Sequence, residues 1–202
     1  MQTAQIVSSI TCGGINFTSS VSRQAEGQIS HVVVLPAGVA GAISATGVDG
    51  LVEGHGIEAS DVIDVHWSDP ADGSHKCRRG LTVDTAGATS IAFDEDPAGA
   101  GDALPAEDTA VVVSVQVSID TDFDGDLVQM VAVKTAQRAM VDFRKTGASL
   151  LAIKCVAGEA WSWASGQSVA NPLTGDPVDA IVVSNGSVSE TTMYVGILYE
   201  SV

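Results

Sequence analysis

The chain has 202 residues and a net charge of −16, set by 25 Asp and Glu against 9 Lys and Arg. With 45% hydrophobic and only 17% charged residues it is too apolar for a disordered chain, and its acidity repels phosphate backbones, which argues against a sequence-reading nucleic-acid binder. No apolar run reaches the length of a membrane helix, and MQTAQIVSSITCGG lacks the basic-then-apolar order of a signal peptide, so a globular protein working off the membrane is expected.

Period-two alternation runs through the sequence. TAQIVSSIT, INFTSSVS and QISHVVVL read as strands near the start, followed by SDVIDVHW (60–67), RGLTVDT (79–85) and TSIAFDE (89–95). In TAVVVSVQVSID, Val111, Val113, Val115, Val117 and Ile119 share one face, and Ser114, Gln116, Ser118 and Asp120 share the other, as in one half-buried strand. VQMVAVKT (128–135), SLLAIKCVA (149–157), DAIVVS (179–184) and TTMYVGILYE (191–200) continue the series. Between them, AVKTAQRAMVDF contains helix formers but is read as strand. Prolines in LPAG (35–38), DPAD (69–72), DPAG (96–99) and LPAE (104–107) mark corners where a ladder must stop. These elements predict an all-β protein, an antiparallel β-sandwich or β-barrel of roughly a dozen short strands with little helix. The whole chain is read as one all-β unit, with a seam near 94–108 if it divides into two β subdomains.

The charge is unevenly placed. Residues 80–133 carry eleven acids and no Lys or Arg, whereas Lys134, Arg138, Arg144, Lys145 and Lys154 form a basic island. Such opposed patches suit head-to-tail contact between copies as well as simple solvation, and Arg144 and Lys145 are candidate interface residues. Cys12, Cys77 and Cys155 are odd in number and widely spaced, which is no disulfide framework. Cys155 reads as a buried hydrophobe, and Lys76 and Arg78 would favour a thiolate at Cys77 if it were exposed, which would open the way to an inter-subunit bond.

SIDTDFDGDLV places Asp120, Asp122, Asp124 and Asp126 at alternate positions. The first three, with Gly125, match the first half of a calcium loop, but the twelfth position is Val131 rather than a bidentate glutamate. Asp124-Gly125 between strand patterns is read first as a hairpin turn and only second as part of a calcium site completed by another loop or subunit. No cofactor is therefore expected beyond a calcium ion on these aspartates. His66, His75 and Cys77 offer three zinc ligands, but at a spacing that fits no closed structural site and with no fourth ligand evident in the sequence. Trp161 and Trp163 share one strand face, as a core pair, an interface anchor or a platform for a sugar ring. No G-x-S-x-G elbow, Walker loop or dinucleotide glycine pattern occurs, so no catalytic residues are assigned and a non-enzymatic protein is expected.

The stretch from Gly54 to Val113 contains GHGI, SDVIDVHW, RRGLTVDT and GAGDALPAEDTAVVV. Its order of a Gly-His-Gly turn, a strand pair and a Leu-Pro corner before a valine-rich strand resembles a module of structural proteins of tailed bacteriophages, over less than a third of the chain. That resemblance implies a virion component assembled in the host cytoplasm: a capsid decoration or cement protein that stabilises the shell, or else a tail tube or adaptor subunit. Its partners would be copies of itself and other virion proteins such as the major capsid protein. The apolar segment TTMYVGILYESV would then add an edge strand to a neighbour. A rival from another class is a calcium-stiffened carbohydrate-binding β-sandwich built on Trp161, Trp163 and the four aspartates.

Overall fold

A computed structural model describes residues 2–12, 15–25, 27–93, 100–165, 170–173 and 177–200, with backbone alone for 2–27 and Asp126. The described residues are all-β, as the alternation dictates, with no α-helix among them. Strands β1 (Gln2–Cys12) and β2 (Ile15–Ala25) form a two-stranded antiparallel ribbon. β3 (Gly27–Leu35) follows.

The chain then builds a barrel from β4 (Val39–Ser44), β5 (Gly47–Asp49), β6 (Val62–Ser68), β7 (His75–Ala86), β8 (Ser90–Phe93) and β10 (Ala110–Val115). The sheet order is β6-β10-β4-β5-β8-β7, and β6 pairs with β7 to close the ring. Closure leaves the six strands no free edge. A short β9 (Ala100–Gly101) lies against Arg78 and Arg79 of β7. Ile63, Val65, Leu81, Val83, Val111 and Val113 fill the interior with Val48, Ile91 and Phe93.

A sandwich takes the rest of the chain, through β11 (Val117–Asp124), β12 (Val128–Thr135), β13 (Ala139–Lys145), β14 (Ala148–Cys155), β15 (Ala160–Ala164), β16 (Pro177–Asn185) and β17 (Thr191–Tyr199). Its two sheets run β11-β16-β13-β14 and β15-β12-β17-β3. Phe143, Ile181, Val141, Val131, Met193 and Ile197 meet between them in a second core.

The barrel is thus an insertion between β3 and β11 of the sandwich. The chain crosses at residues 36–38 and again at Gln116, so the passage between cores does not fall near 94–108. Within that stretch the described residues, from Ala100 onward, stay against the barrel. At the first crossing the side chains of β10 pack so closely on Gly38 that a Cβ there would sit 2.4 Å from Val112 Cγ1.

The second crossing explains why one alternating run made two strands. Val111 and Val113 enter the barrel core, while Val117 and Ile119 pack against the sandwich core. The polar side of the same run is not wholly solvated either: Ser114 is buried and donates to the carbonyl of Asn185. AVKTAQRAMVDF forms parts of β12 and β13, as expected. Two other expectations fail. Asp124-Gly125 is not a hairpin tip, because β11 and β12 belong to different sheets and a single 3-10 turn, Gly125–Leu127, carries the chain between them. β17 is not an edge either, since it pairs with β12 on one side and β3 on the other. The edge is β3.

Phe143 is fully buried in the sandwich core. Phe143→Ala should lower unfolding free energy by about 3–5 kcal/mol, through lost transfer energy and the cavity left behind, as measured by denaturant titration.

Candidate functional site

Ionisable groups collect where the outer wall of the barrel meets the β16-β13-β14 face of the sandwich. Alternation places Asp64, His66 and Ser68 on one face of β6. The antiparallel register sets Cys77 opposite His66 and His75 opposite Ser68 on β7. Val65 points the other way, into the barrel, so one strand serves a greasy interior and a polar seam at once.

Asp64 is 2% exposed, and His66 and Cys77 are fully buried. Asp64 Oδ1 accepts from the Gly80 amide (2.9 Å) and from Gln116 Nε2 (2.6 Å), and Oδ2 accepts from Ser184 Oγ (2.5 Å). Burial pushes the Asp64 carboxyl above its ordinary range, against those three donors. Ser184 Oγ also lies 3.1 Å from His66 Nε2, and His66 Nδ1 lies 3.1 Å from His75 Nε2. The imidazoles stack with centroids 5.3 Å apart.

The order of donors follows from counting protons. Ser184 gives its single proton to Asp64, so His66 Nε2–H donates to Ser184 and His66 Nδ1 accepts from His75 Nε2–H. His75 Nδ1 is left with a lone pair, and it is one of the buried atoms with no hydrogen-bond partner. Both rings are held neutral. Burial first, then the charges of His75 and Arg138, push His66 down to about 3. Burial with the Arg138 and Lys154 charges pushes His75 down to about 4.

A second cluster lies further along the seam. Asp142 on β13 binds Arg79 of the barrel (2.8 Å) and Arg144 of its own strand (2.8 Å), and accepts from Ser149 Oγ (2.5 Å). These groups line a cleft of about 350 Å³ together with Val62, Thr82 and Ala100. Lys154 Nζ reaches Asp102 at 2.6 Å, and Arg138 donates to Ser68 Oγ at 2.7 Å. Much of the basic island is therefore spent inside this molecule. Arg144 turns to Asp142, and Lys145 is half-buried at the end of β13.

The other expected site residues stand elsewhere. Asp120, Asp122 and Asp124 are exposed along β11, beside a register shift in its pairing with β16, and the Asp126 side chain lies outside the described residues. Among the described residues, the one trio of His, Cys, Asp or Glu groups with donor atoms mutually within 4.8 Å is Asp64, His66 and Cys77. Trp161 and Trp163 pair with Val133 and Val131 and pack into the sandwich core, Trp163 fully and Trp161 in part. They make no open platform for a sugar ring.

Cys77 is not exposed, so the condition under which Lys76 and Arg78 would favour a thiolate is not met. Alternation turns it into the seam, where burial pushes the thiol far above its ordinary value. Burial likewise pushes Cys155 up to about 12. The Gly-His-Gly turn has a structural role. Gly54 and Gly56 take positive φ (76° and 75°), and His55 accepts from the Ile57 amide (3.1 Å) while donating to the Gly87 carbonyl (3.0 Å).

No family model matches the chain, and neither a curated protein nor a solved structure is significantly similar to it.

Asp142→Ala should cost about 3 kcal/mol or more in chemical denaturation, because it strips the carboxylate from two guanidiniums at a largely buried position. Cys77 and Cys155 should resist alkylation in the native chain and react fully once it is denatured, as read by peptide mass mapping.

Proposed function

We propose that this chain is a non-enzymatic structural component of a bacteriophage virion, most specifically a capsid decoration protein that stabilises the shell by bridging subunits. The observation that carries this reading is an unpaired edge at the end of a self-paired ribbon. Among the described residues β3 hydrogen-bonds to β17 on one side alone, and on its outer face Val32 and Val34 are 63% and 57% exposed beside Tyr194 at 53%.

Exposed valines on a free edge are what a monomer ordinarily avoids, because they template pairing with another chain. The ribbon running into that edge has eleven paired positions per strand, and its strands form a sheet of their own. A lone two-stranded ribbon is marginal in water, and a surface supplied by another copy would stabilise it. Strand addition through main-chain hydrogen bonds suits a protein that tiles, since the contact is made once and repeated. The acidity of the chain suits a particle built around packaged nucleic acid, where phosphate adhesion must be avoided.

Antibody against this chain should label the heads of purified virions in electron micrographs. Labelling of tails instead would move the protein to a tail subunit, and labelling of neither would end the virion reading. In solution the chain should sediment as an oligomer. Val32→Lys together with Val34→Lys should shift it to monomer without changing its thermal midpoint by more than a few degrees, because both side chains are already exposed.

A further inference from the structure

We propose that Asp64, His66 and Cys77 form a buried metal site for a borderline-soft divalent cation, with Zn²⁺ the occupant that the donor set fits best. Three facts carry it. The donor atoms lie within 4.8 Å of one another, on two adjacent strands whose register makes His66 and Cys77 direct partners. All three residues are closed off from solvent. A second imidazole stands beside them, with His75 Nε2 3.1 Å from His66 Nδ1 and its other nitrogen unpartnered although buried.

A carboxylate, a thiol and imidazole nitrogen are the ligand types that Zn²⁺ takes in four-coordinate sites, and the thiol argues against Mg²⁺ or Ca²⁺, which prefer oxygen alone. Sequence spacing hid the arrangement because the missing ligand, Asp64, lies upstream of the histidines and is brought in by alternation on β6. Charge balance favours occupation as well. Asp64 and a Cys77 thiolate together cancel two positive charges, in a place where either anion alone is poorly tolerated.

In the binding step His66 exchanges the hydrogen bond that Nδ1 accepts from His75 for a bond to the cation, while the cation also bonds Cys77 sulfur, whose S–H bond breaks and whose proton leaves to solvent, so retention strengthens as pH rises. Ser184, which already holds both Asp64 and His66, orients two of the ligands from behind. Because Ser184 belongs to β16 and the ligands to β6 and β7, the cation would clamp barrel to sandwich. The site is closed in the folded chain, which places loading at the time of folding.

The test uses the full chain, expressed with added Zn²⁺ and dialysed against a weak chelator. Elemental analysis should find about one zinc per chain. Cys77→Ser and His66→Gln should each lower retained zinc at least tenfold, a loss within the range that ligand-sphere changes cause, whereas Cys155→Ser, Cys12→Ser and His55→Gln should keep it. Expression with Co²⁺ should give a thiolate-to-cobalt charge-transfer band that vanishes in Cys77→Ser. A measurement on the wild-type chain guards against variants that fail to fold: zinc-edge X-ray absorption should show one sulfur at about 2.3 Å with nitrogen and oxygen at about 2.0 Å. Zinc absent from the wild type, a shell of oxygens alone, or equal loss in Cys155→Ser would overturn the site.

Discussion

Asp64 is kept out of water by one backbone amide, one amide side chain and one hydroxyl, and those three donors come from three separate parts of the fold. Gly80 belongs to β7 of the barrel, Gln116 is the residue at which the chain leaves the barrel, and Ser184 lies on β16 of the sandwich. A buried carboxylate with unmet lone pairs costs several kcal/mol, so the three elements must converge for the folded state to be tolerable at all. The joint between the two cores is specified by polar satisfaction where a greasy contact would leave the angle between them loose. The cluster around Asp142 repeats this logic a short distance away, with Arg79 reaching across from the barrel.

A seam of this kind is selective more than it is strong. Each hydrogen bond returns only about 1 kcal/mol net against water, but each broken one leaves a desolvated group behind. The penalty therefore falls on misplaced arrangements, and the barrel and sandwich have few ways to meet without orphaning Asp64, Asp142 or the Asn185 backbone. Such a joint suits a building block whose two halves must present their outer surfaces in fixed relation. Pro36 and Gly38 tighten the same joint from the backbone side, through bonds to the Asn185 side chain and the Ser187 carbonyl.

Strand content was legible because alternation is a local property: β6, β7, β10 and β16 were visible in a few residues each, and so was the all-β class. What was illegible depends on partners distant in sequence. TAVVVSVQVSID alternates without a break, yet its two halves serve two cores, and the change comes at Gln116, which bonds Asp64 through its side chain and is no turn residue. Nothing in the strand pattern SDVIDVHW marks Asp64 as buried. Only the arrival of Ser184, more than a hundred residues later, turns that face inward. The same reasoning explains Asp124-Gly125: it has hairpin chemistry, but β11 finds β16 and β12 finds β15 and β17, so the two neighbours in sequence never pair.

The insertion of the barrel between β3 and β11 has a consequence for how the chain is made. β3 leaves the ribosome early, but the strand it pairs with, β17, is the last strand described. During synthesis the barrel, whose strands are nearly contiguous, can close while β3 waits with both of its edges bare. A cell making this protein must therefore shelter a valine-rich strand for most of a translation cycle, and slow elongation would lengthen the period in which it can find the wrong neighbour.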